Sequence, residues 1–352
     1  MRCVSVGEKE AGQRLDKFLG KYLNLAGKNF LYKMMRKKNI TLNGRKCDGS
    51  ERLEAGDQIR LFLADETIEK FSQTKVQKVD KKLLDVVYED KHILLVNKPA
   101  GMLSQKARDT DVSLVEYLID YLLDSGQLAR EDLRFFRPSV CNRLDRNTSG
   151  LVAAGKSLAG LQGLSAVLRN RSLHKYYLCA VRGRVLEQKR IEGLLIKDER
   201  TNQVTILPER ADQEKRPAAF SQNQGRRPPS ISGAKGRADG QNGSKICTEY
   251  EPLDYRDGYT LLKVTLITGK THQIRAHLAC VGYPIAGDYK YGDREVNEEV
   301  RKKYNVTSQM LHSFRMVFPE MPEPLAYLSG KSFEAPLPGE FERMFGEVVL
   351  TI

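Results

Sequence analysis

The chain has 352 residues, and 58 Lys and Arg against 45 Asp and Glu give it a net charge of +13 at neutral pH. This length predicts more than one domain, and no apolar run approaches the roughly 18 residues that span a bilayer, which excludes an integral membrane protein. The six cysteines form no CxxC pair, which argues against a zinc ribbon, a redox motif or a disulfide scaffold. The start, MRCVSVGEKE, lacks the apolar stretch of a signal peptide, so we expect a cytoplasmic protein.

Positive charge is concentrated at the N-terminal end. Residues 1–63 carry 14 Lys and Arg against 7 Asp and Glu, so under a fifth of the chain holds about half of the excess. Such a region favours a polyanionic partner, RNA or DNA, whose binding depends steeply on salt. The alternative is a basic surface that serves only solubility.

The N-terminal region is predicted to form a small α/β module. Apolar residues at helical spacing indicate two short amphipathic helices, around residues 15–23 and 30–35. Asn43 and Gly44, between two short alternating segments, indicate a tight β-hairpin, and residues 57–63 add a further strand.

The second of these helices is basic on one side. Lys33, Arg36 and Lys37 share a face roughly opposite its apolar residues. Together with Lys38 they are our candidate RNA-binding residues in this module, and we call the four the cationic face. Residues 65–82 are polar and charged and predict a linker.

Strands and helices alternate in the second domain, which we place at 83–352. Two β-rich runs, VVYED and HILLVNK, lead into a turn at 99–101, and Ser113 with Glu116 forms a capping box that opens a helix. Further helices are predicted near 158–168 and 271–281, and strands near 175–182 and 259–267. Residues 209–245 contain almost no large apolar side chain and predict a disordered insertion.

One short motif is misleading. Residues 150–157, GLVAAGKS, match the nucleotide-binding pattern GxxxxGK[ST]. A phosphate-binding loop needs a buried strand before its first glycine, but here the preceding residues are polar and 151–154 are the apolar segment. We therefore reject a nucleotide hydrolase that would depend on Lys156, and we expect no nucleotide cofactor.

Three other segments carry side chains suited to catalysis. In NRLDRNTSGL, residues 142–151, Asp145 lies between Arg143 and Arg146, whose positive charges favour its ionised form. The strand HKYYLCAVRG places Tyr177 on one face and Tyr176 on the other. A simple salt bridge in a turn is the alternative for the first segment.

The third segment, ITGKTHQIRAHLACVGYPIAGD, contains a helix on which His272 and Arg275 are one turn apart, so Arg275 can face a cleft. His272 and His277 lack a partnering HExxH motif, so we interpret both as hydrogen-bonded structural histidines and expect no metal site.

These segments resemble the successive motifs of the RluA family of RNA pseudouridine synthases, over roughly residues 84–340. The NKPAG turn at 97–101, LHSFRMVFP from 311 and FEAPLP from 333 are also similar, and residues 12–64 resemble an S4 RNA-binding domain. The resemblance implies an α+β protein: a small S4-like module, then a catalytic domain built on a mixed, mainly antiparallel sheet flanked by helices.

The resemblance also implies an activity and its residues. It makes Asp145 the catalytic aspartate, Tyr177 the active-site tyrosine, Arg275 the arginine that pairs with the aspartate, and Arg143 the residue that enters the stack as the target base leaves. Arg146 is a further candidate RNA contact.

It points further to a monomer that needs no cofactor and acts on large-subunit ribosomal RNA. In this family, the segment around the aspartate usually opens with His, but here it opens with Asn142. A local contact of that residue to RNA or backbone is therefore expected to differ. The alternative function is a noncatalytic RNA-binding factor in ribosome assembly.

Overall fold

The computed structural model of the chain describes residues 1–7, 10–72, 77, 79, 84–198, 203–208 and 243–347. They form a four-stranded sheet at the N-terminal end and an eleven-stranded sheet in the rest of the chain. Helices flank both sheets, and nearly all strand pairs are antiparallel, so the predicted α+β class is confirmed. No helix among these residues is long and apolar enough to cross a bilayer.

The N-terminal module has the predicted helices and hairpin. Its strands, in the spatial order β1-β4-β2-β3, are β1 (Arg2–Ser5), β2 (Ile40–Leu42), β3 (Arg45–Lys46) and β4 (Gln58–Leu61), and its helices are α1 (Leu15–Tyr22), α2 (Lys28–Arg36) and α3 (Asp65–Phe71). Asn43 and Gly44 turn the chain between β2 and β3 with positive φ angles of 50° and 73°, as a two-residue hairpin requires.

Helix α3 occupies the first part of the predicted linker. Its Ile68 is fully buried among the apolar residues of the module, and Phe71 lies against Phe30 with ring centroids 5.0 Å apart. These apolar contacts attach α3 to the N-terminal module. The packed module therefore extends beyond residue 64. The remainder of the predicted linker lies largely outside the described residues.

The module contacts the rest of the chain through Phe135. This ring stacks on Phe18 and Tyr22, with centroid distances of 5.7 and 5.5 Å. Two residues earlier, Leu133 is buried in the core of the large sheet. The short segment that contains Leu133 and Phe135 therefore contacts two hydrophobic cores, that of the large sheet and that of the N-terminal module.

The large sheet has the strand order β11-β10-β12-β13-β9-β14-β8-β6-β5, with β15 paired to β14 and β7 to β8. The strands are β5 (Val86–Glu89), β6 (Ile93–Lys98), β7 (Ser139–Val140), β8 (Ser149–Gly155), β9 (His174–Arg182), β10 (Lys189–Asp198), β11 (Gln203–Pro208), β12 (Ser244–Arg256), β13 (Tyr259–Leu266), β14 (Leu311–Val317) and β15 (Ser332–Glu334). The helices are α4 (Leu114–Asp124), α5 (Leu158–Arg169), α6 (Gln273–Cys280), α7 (Arg294–Tyr304) and α8 (Gly339–Phe345).

Most local predictions for this domain are confirmed. Ser113 and Glu116 form the capping box of α4, and the other predicted helices and strands are present within about two residues. Helix α6 begins two residues later than expected because His272 has a left-handed backbone, with φ of 53°. The predicted insertion, 209–245, lies outside the described residues except for its last three, and β12 already begins at Ser244.

Strand β14 lies between β8 and β9 and brings together parts of the chain that are far apart in sequence. It runs parallel to β8, with Ser313 beside Gly150, and antiparallel to β9, with Ser313 also beside Tyr177. Gly150 has φ of +106°, and a Cβ there would lie 2.2 Å from the Ser313 carbonyl oxygen. Only glycine allows this close approach of the two strands.

We therefore expect Gly150→Ala to lower the free energy of unfolding by about 3 kcal/mol or more, through backbone strain and the clash with β14. Gly126→Ala is the control, because Gly126 also has a positive φ, of 70°, but a Cβ there meets no atom within 4 Å. It should cost only about 1 kcal/mol. Urea unfolding of both variants measures the difference, and equal losses would contradict the close-approach explanation.

Candidate active site

Asp145 lies in the turn between β7 and β8, and the backbone on both sides of it is fixed. The Leu144 amide donates to Ser104 Oγ at 3.0 Å, and that hydroxyl donates to the Leu144 carbonyl at 2.9 Å. The carbonyl of Arg146 accepts from the amide of Gly101 at 2.9 Å. The turn at 99–101 thus holds the aspartate in place, which a positioned catalytic group requires.

Lys98, inside the protein, also joins the turn at 99–101 to the loop that carries Asp145. Its side chain is fully buried, and Nζ donates to the carbonyls of Pro99, Met102 and Arg146 at 2.9, 2.8 and 3.1 Å. Burial lowers the pKa of Lys98 to about 7, and the charge of Asp145 acts in the opposite direction. Lys98 therefore links β6, the turn and the loop that carries the aspartate.

We expect Lys98→Met to lower the free energy of unfolding by about 3 kcal/mol, because three carbonyls lose the donor that the buried Lys98 side chain provides. Turnover should fall as well, since the Arg146 carbonyl is then held by a single amide. Urea unfolding and an activity assay test both effects. Lys91→Met, at an exposed lysine just before β6, is the control and should change neither; a Lys98 effect below about 1 kcal/mol would contradict the structural role.

Arg275 brings α6 to Asp145 from the other side of the site. Its Nη1 donates to Asp145 Oδ2 at 2.8 Å, so the predicted pair of these residues is present. Asp145 receives a single hydrogen bond from the guanidinium, which makes its two-point contact with Asp288, at 2.7 and 2.9 Å. Burial alone would lower the pKa of Arg275, but the hydrogen bonds and charge of Asp288, with the charge of Asp145, raise it above its ordinary value.

The guanidinium is therefore a permanent positive charge between two carboxylates. Asp288 is fully buried, whereas the Asp145 side chain is 24% exposed. Asp288 thus anchors the arginine, and Asp145 presents its carboxylate to solvent. Asp288 was not predicted, although it ends the third sequence segment, after an apolar run.

Tyr177 is on β9, two strands from β8, and is buried as expected for one face of that strand. Burial raises the pKa of Tyr177 to about 12, and the charge of Asp145 adds to this effect. The phenol therefore keeps its proton at physiological pH. Tyr176 is only half-buried, on the opposite face.

Two residues at the site were not predicted to act there, His272 and Tyr291. His272 Nε2 lies 3.9 Å from Asp145 Oδ2, and its Nδ1 is 2.8 Å from the Tyr291 hydroxyl. His272 is therefore hydrogen-bonded as expected, and it also lies beside the Asp145 carboxylate. His277 is buried, with Nδ1 3.0 Å from Thr248 Oγ1, which agrees with a structural role.

The predicted RNA-binding residues are exposed. Arg143 is exposed two residues from Asp145, and Arg146 is exposed with Nε donating to the Gly101 carbonyl at 3.1 Å. Asn142 contacts backbone, accepting from the Ala153 amide at 2.7 Å. The cationic face (Lys33, Arg36, Lys37 and Lys38) is solvent-exposed at the end of α2, in the N-terminal module rather than in the Asp145 loop.

The structure supports rejecting the nucleotide-binding motif. Residues 149–155 form the buried strand β8 rather than a loop. The amine of Lys156 donates to Glu89 Oε1 at 2.6 Å and to the carbonyl of Asp90 at 2.7 Å. Among the described residues, no three His, Cys, Asp or Glu side chains are grouped as metal ligands.

Known proteins resemble this chain over most of its length. Ribosomal large subunit pseudouridine synthase C of Salmonella typhimurium is 29% identical over 303 residues, which cover 85% of this chain and 82% of that protein. The protein of the same name from Pasteurella multocida is 27% identical over 98% of this chain and 93% of its own length. Human RNA pseudouridylate synthase domain containing 4 has the same fold, with a TM-score of 0.51, 17% identity and coverage of 74% of this chain and 92% of that one.

A family model described as RNA pseudouridylate synthase matches residues 92–280, which include Asp145, Tyr177 and Arg275. Because this match covers more than half of the chain, the chain belongs to the RNA pseudouridylate synthase family, whose members isomerise uridine to pseudouridine in RNA.

Proposed function

We propose that the chain isomerises uridines of large-subunit ribosomal RNA, acting as a cytoplasmic monomer, and that Asp145 is the group that acts on the target nucleoside. The observation that carries the role of Asp145 is its partly exposed carboxylate, held by a guanidinium whose other side is anchored on buried Asp288. The names of the Salmonella and Pasteurella relatives support the choice of RNA.

The reaction needs a carboxylate and no change of oxidation state. The N1–C1′ bond of uridine breaks, the base turns, a C5–C1′ bond forms, and the proton on C5 is transferred to N1 in the overall balance. An ionised Asp145 can attack C1′ or remove the C2′ proton, and both routes require the anion. Arg275 orients the Asp145 carboxylate through its hydrogen bond to Oδ2.

The target uridine must leave the RNA stack, because C1′ and C5 cannot be reached inside it. Tyr177 is buried and keeps its proton, so it adds no charge near the extruded base. Arg143, exposed beside the aspartate, can fill the space that the base leaves. The cationic face offsets the few kcal/mol that this extrusion costs.

Mapping of pseudouridines in ribosomal RNA tests the proposed substrate. Cells that lack the protein, and cells that carry only the Asp145→Asn variant, should both lose one or a few pseudouridines of the large-subunit RNA. Small-subunit RNA is the control and should be unchanged. A complete set of large-subunit pseudouridines in cells lacking the protein would refute the proposal.

The cationic face gives a separate prediction. Lys33→Glu combined with Lys37→Glu should weaken binding to ribosomal RNA by at least about 30-fold at physiological salt. The slope of the logarithm of the affinity against the logarithm of the salt concentration should become shallower by about 2. Lys91→Glu with Lys302→Glu, at two other exposed lysines, is the charge-matched control and should bind more tightly than this variant. Equal affinity of the two double variants would remove the cationic face from the interface.

A further inference from the structure

Both donors near the Asp145 carboxylate approach the same oxygen. Arg275 Nη1 is 2.8 Å and His272 Nε2 is 3.9 Å from Oδ2. No residue in the described part of the chain donates a hydrogen bond to Oδ1. The oxygen without a donor is therefore the one available to a substrate, and the groups on Oδ2 decide where it points.

We propose that His272 is a positioning residue for Asp145: its Nε2–H, directed by Tyr291, is a second donor to Oδ2 and fixes the rotation of the carboxylate. The inference rests on the proposed role of Asp145. The gap of 3.9 Å is longer than a hydrogen bond, and catalytic contacts are often long without substrate and shorten in the complex.

The surroundings of His272 determine which nitrogen carries the proton. The Tyr291 hydroxyl accepts from the Val204 amide at 3.3 Å and lies 2.8 Å from His272 Nδ1. Its own proton is therefore free to be donated to Nδ1. This leaves the ring proton on Nε2, where it faces the Asp145 anion, whereas a lone pair there would be repelled.

Burial keeps the His272 ring neutral. Burial lowers the pKa of His272, and Arg275 and Lys290 lower it further, whereas Asp145 and Asp288 act in the opposite direction. The net effect is a pKa below the ordinary value, so the imidazole is neutral at physiological pH. A neutral ring donates to the carboxylate without cancelling its charge, which the reaction needs.

The backbone and the packing around the ring hold it still. His272 has a left-handed φ of 53°, which is uncommon for residues other than glycine. The ring lies edge-on to Tyr291, whose own ring is 5.2 Å from the guanidinium carbon of Arg275. Tyr291 therefore contacts both residues that approach Asp145.

Two replacements separate the roles of the two ring nitrogens. His272→Gln keeps an amide donor at the position of Nε2, whereas His272→Asn can reach Tyr291 but not Asp145. Asparagine also adopts the left-handed conformation readily, so the Asn variant should fold with an unchanged unfolding midpoint. Single-turnover rates and RNA affinities are measured for both, with Asp145→Asn in parallel.

We expect His272→Asn to reduce the rate about 10- to 100-fold with unchanged RNA affinity, and His272→Gln to stay within about fivefold of the unchanged protein. Tyr291→Phe should cost about threefold to tenfold and add nothing to His272→Asn, because both act through one carboxylate. A His272→Asn rate within twofold of the unchanged protein, or equal losses for Asn and Gln, would overturn the inference. An active Asp145→Asn variant would instead refute the proposed role of Asp145.

Discussion

Asp145→Asn is expected to lower the rate of pseudouridine formation by at least about 10³-fold. Its RNA affinity should stay within about twofold of that of the unchanged protein, and its free energy of unfolding within about 1 kcal/mol. The amide has the size of the carboxylate but can neither attack C1′ as an anion nor accept a proton from C2′. Release of tritium from RNA labelled at C5 of uridine measures the rate, because that hydrogen leaves as the new bond forms.

The structure explains why this variant should remain folded. Asp145 makes one hydrogen bond to Arg275, and the guanidinium keeps its two-point contact with Asp288. Asp111→Asn, in a surface turn where the carboxylate accepts two backbone hydrogen bonds, is the matched control and should leave the rate unchanged. Tritium release by Asp145→Asn at the rate of this control would show that another group performs the reaction.

Arg275→Met is expected to have the second largest effect, because it removes both the activity and about 3–5 kcal/mol of stability. Methionine fills much of the volume but leaves Asp288 as a buried carboxylate without its partner. Asp145 loses the donor that orients it. Urea unfolding gives the stability change, and tritium release gives the rate.

A double variant separates the two consequences. Arg275→Met with Asp288→Asn removes the buried negative charge together with its partner, so most of the lost stability should return. The activity should stay absent, because nothing then holds Asp145. Full stability of the single Arg275→Met variant, or recovery of activity in the double variant, would contradict the anchoring role of Asp288.

Local features of this fold could be predicted from the sequence because each depends on neighbouring residues. The capping box at Ser113 and Glu116, the hairpin at Asn43 and Gly44 and the periodicity of the helices are short-range signals. Helix α3 was missed because one buried residue, Ile68, does not produce a periodic pattern in seven. Strand β1 was missed for the same reason, because its four residues are too few to show a clear alternating pattern.

The site could be predicted in part, for a similar reason. Three motifs indicated Asp145, Tyr177 and Arg275, and the structure places Arg275 against Asp145 although the two are 130 positions apart. The partners that hold these residues depend on contacts that no local pattern reports. Asp288 resembles any turn aspartate in the sequence, and the left-handed backbone of His272 has no local sequence signal.

The position of β14 between β8 and β9 has a consequence for the order of events during synthesis. Domains form as their segments leave the ribosome, and a sheet cannot close before its middle strand arrives. Here the middle strand, Leu311–Val317, follows nine of the other ten strands of the sheet in the sequence. The nascent protein therefore cannot assemble its catalytic centre until this strand has been synthesised, although Asp145 and Arg275 are made before it.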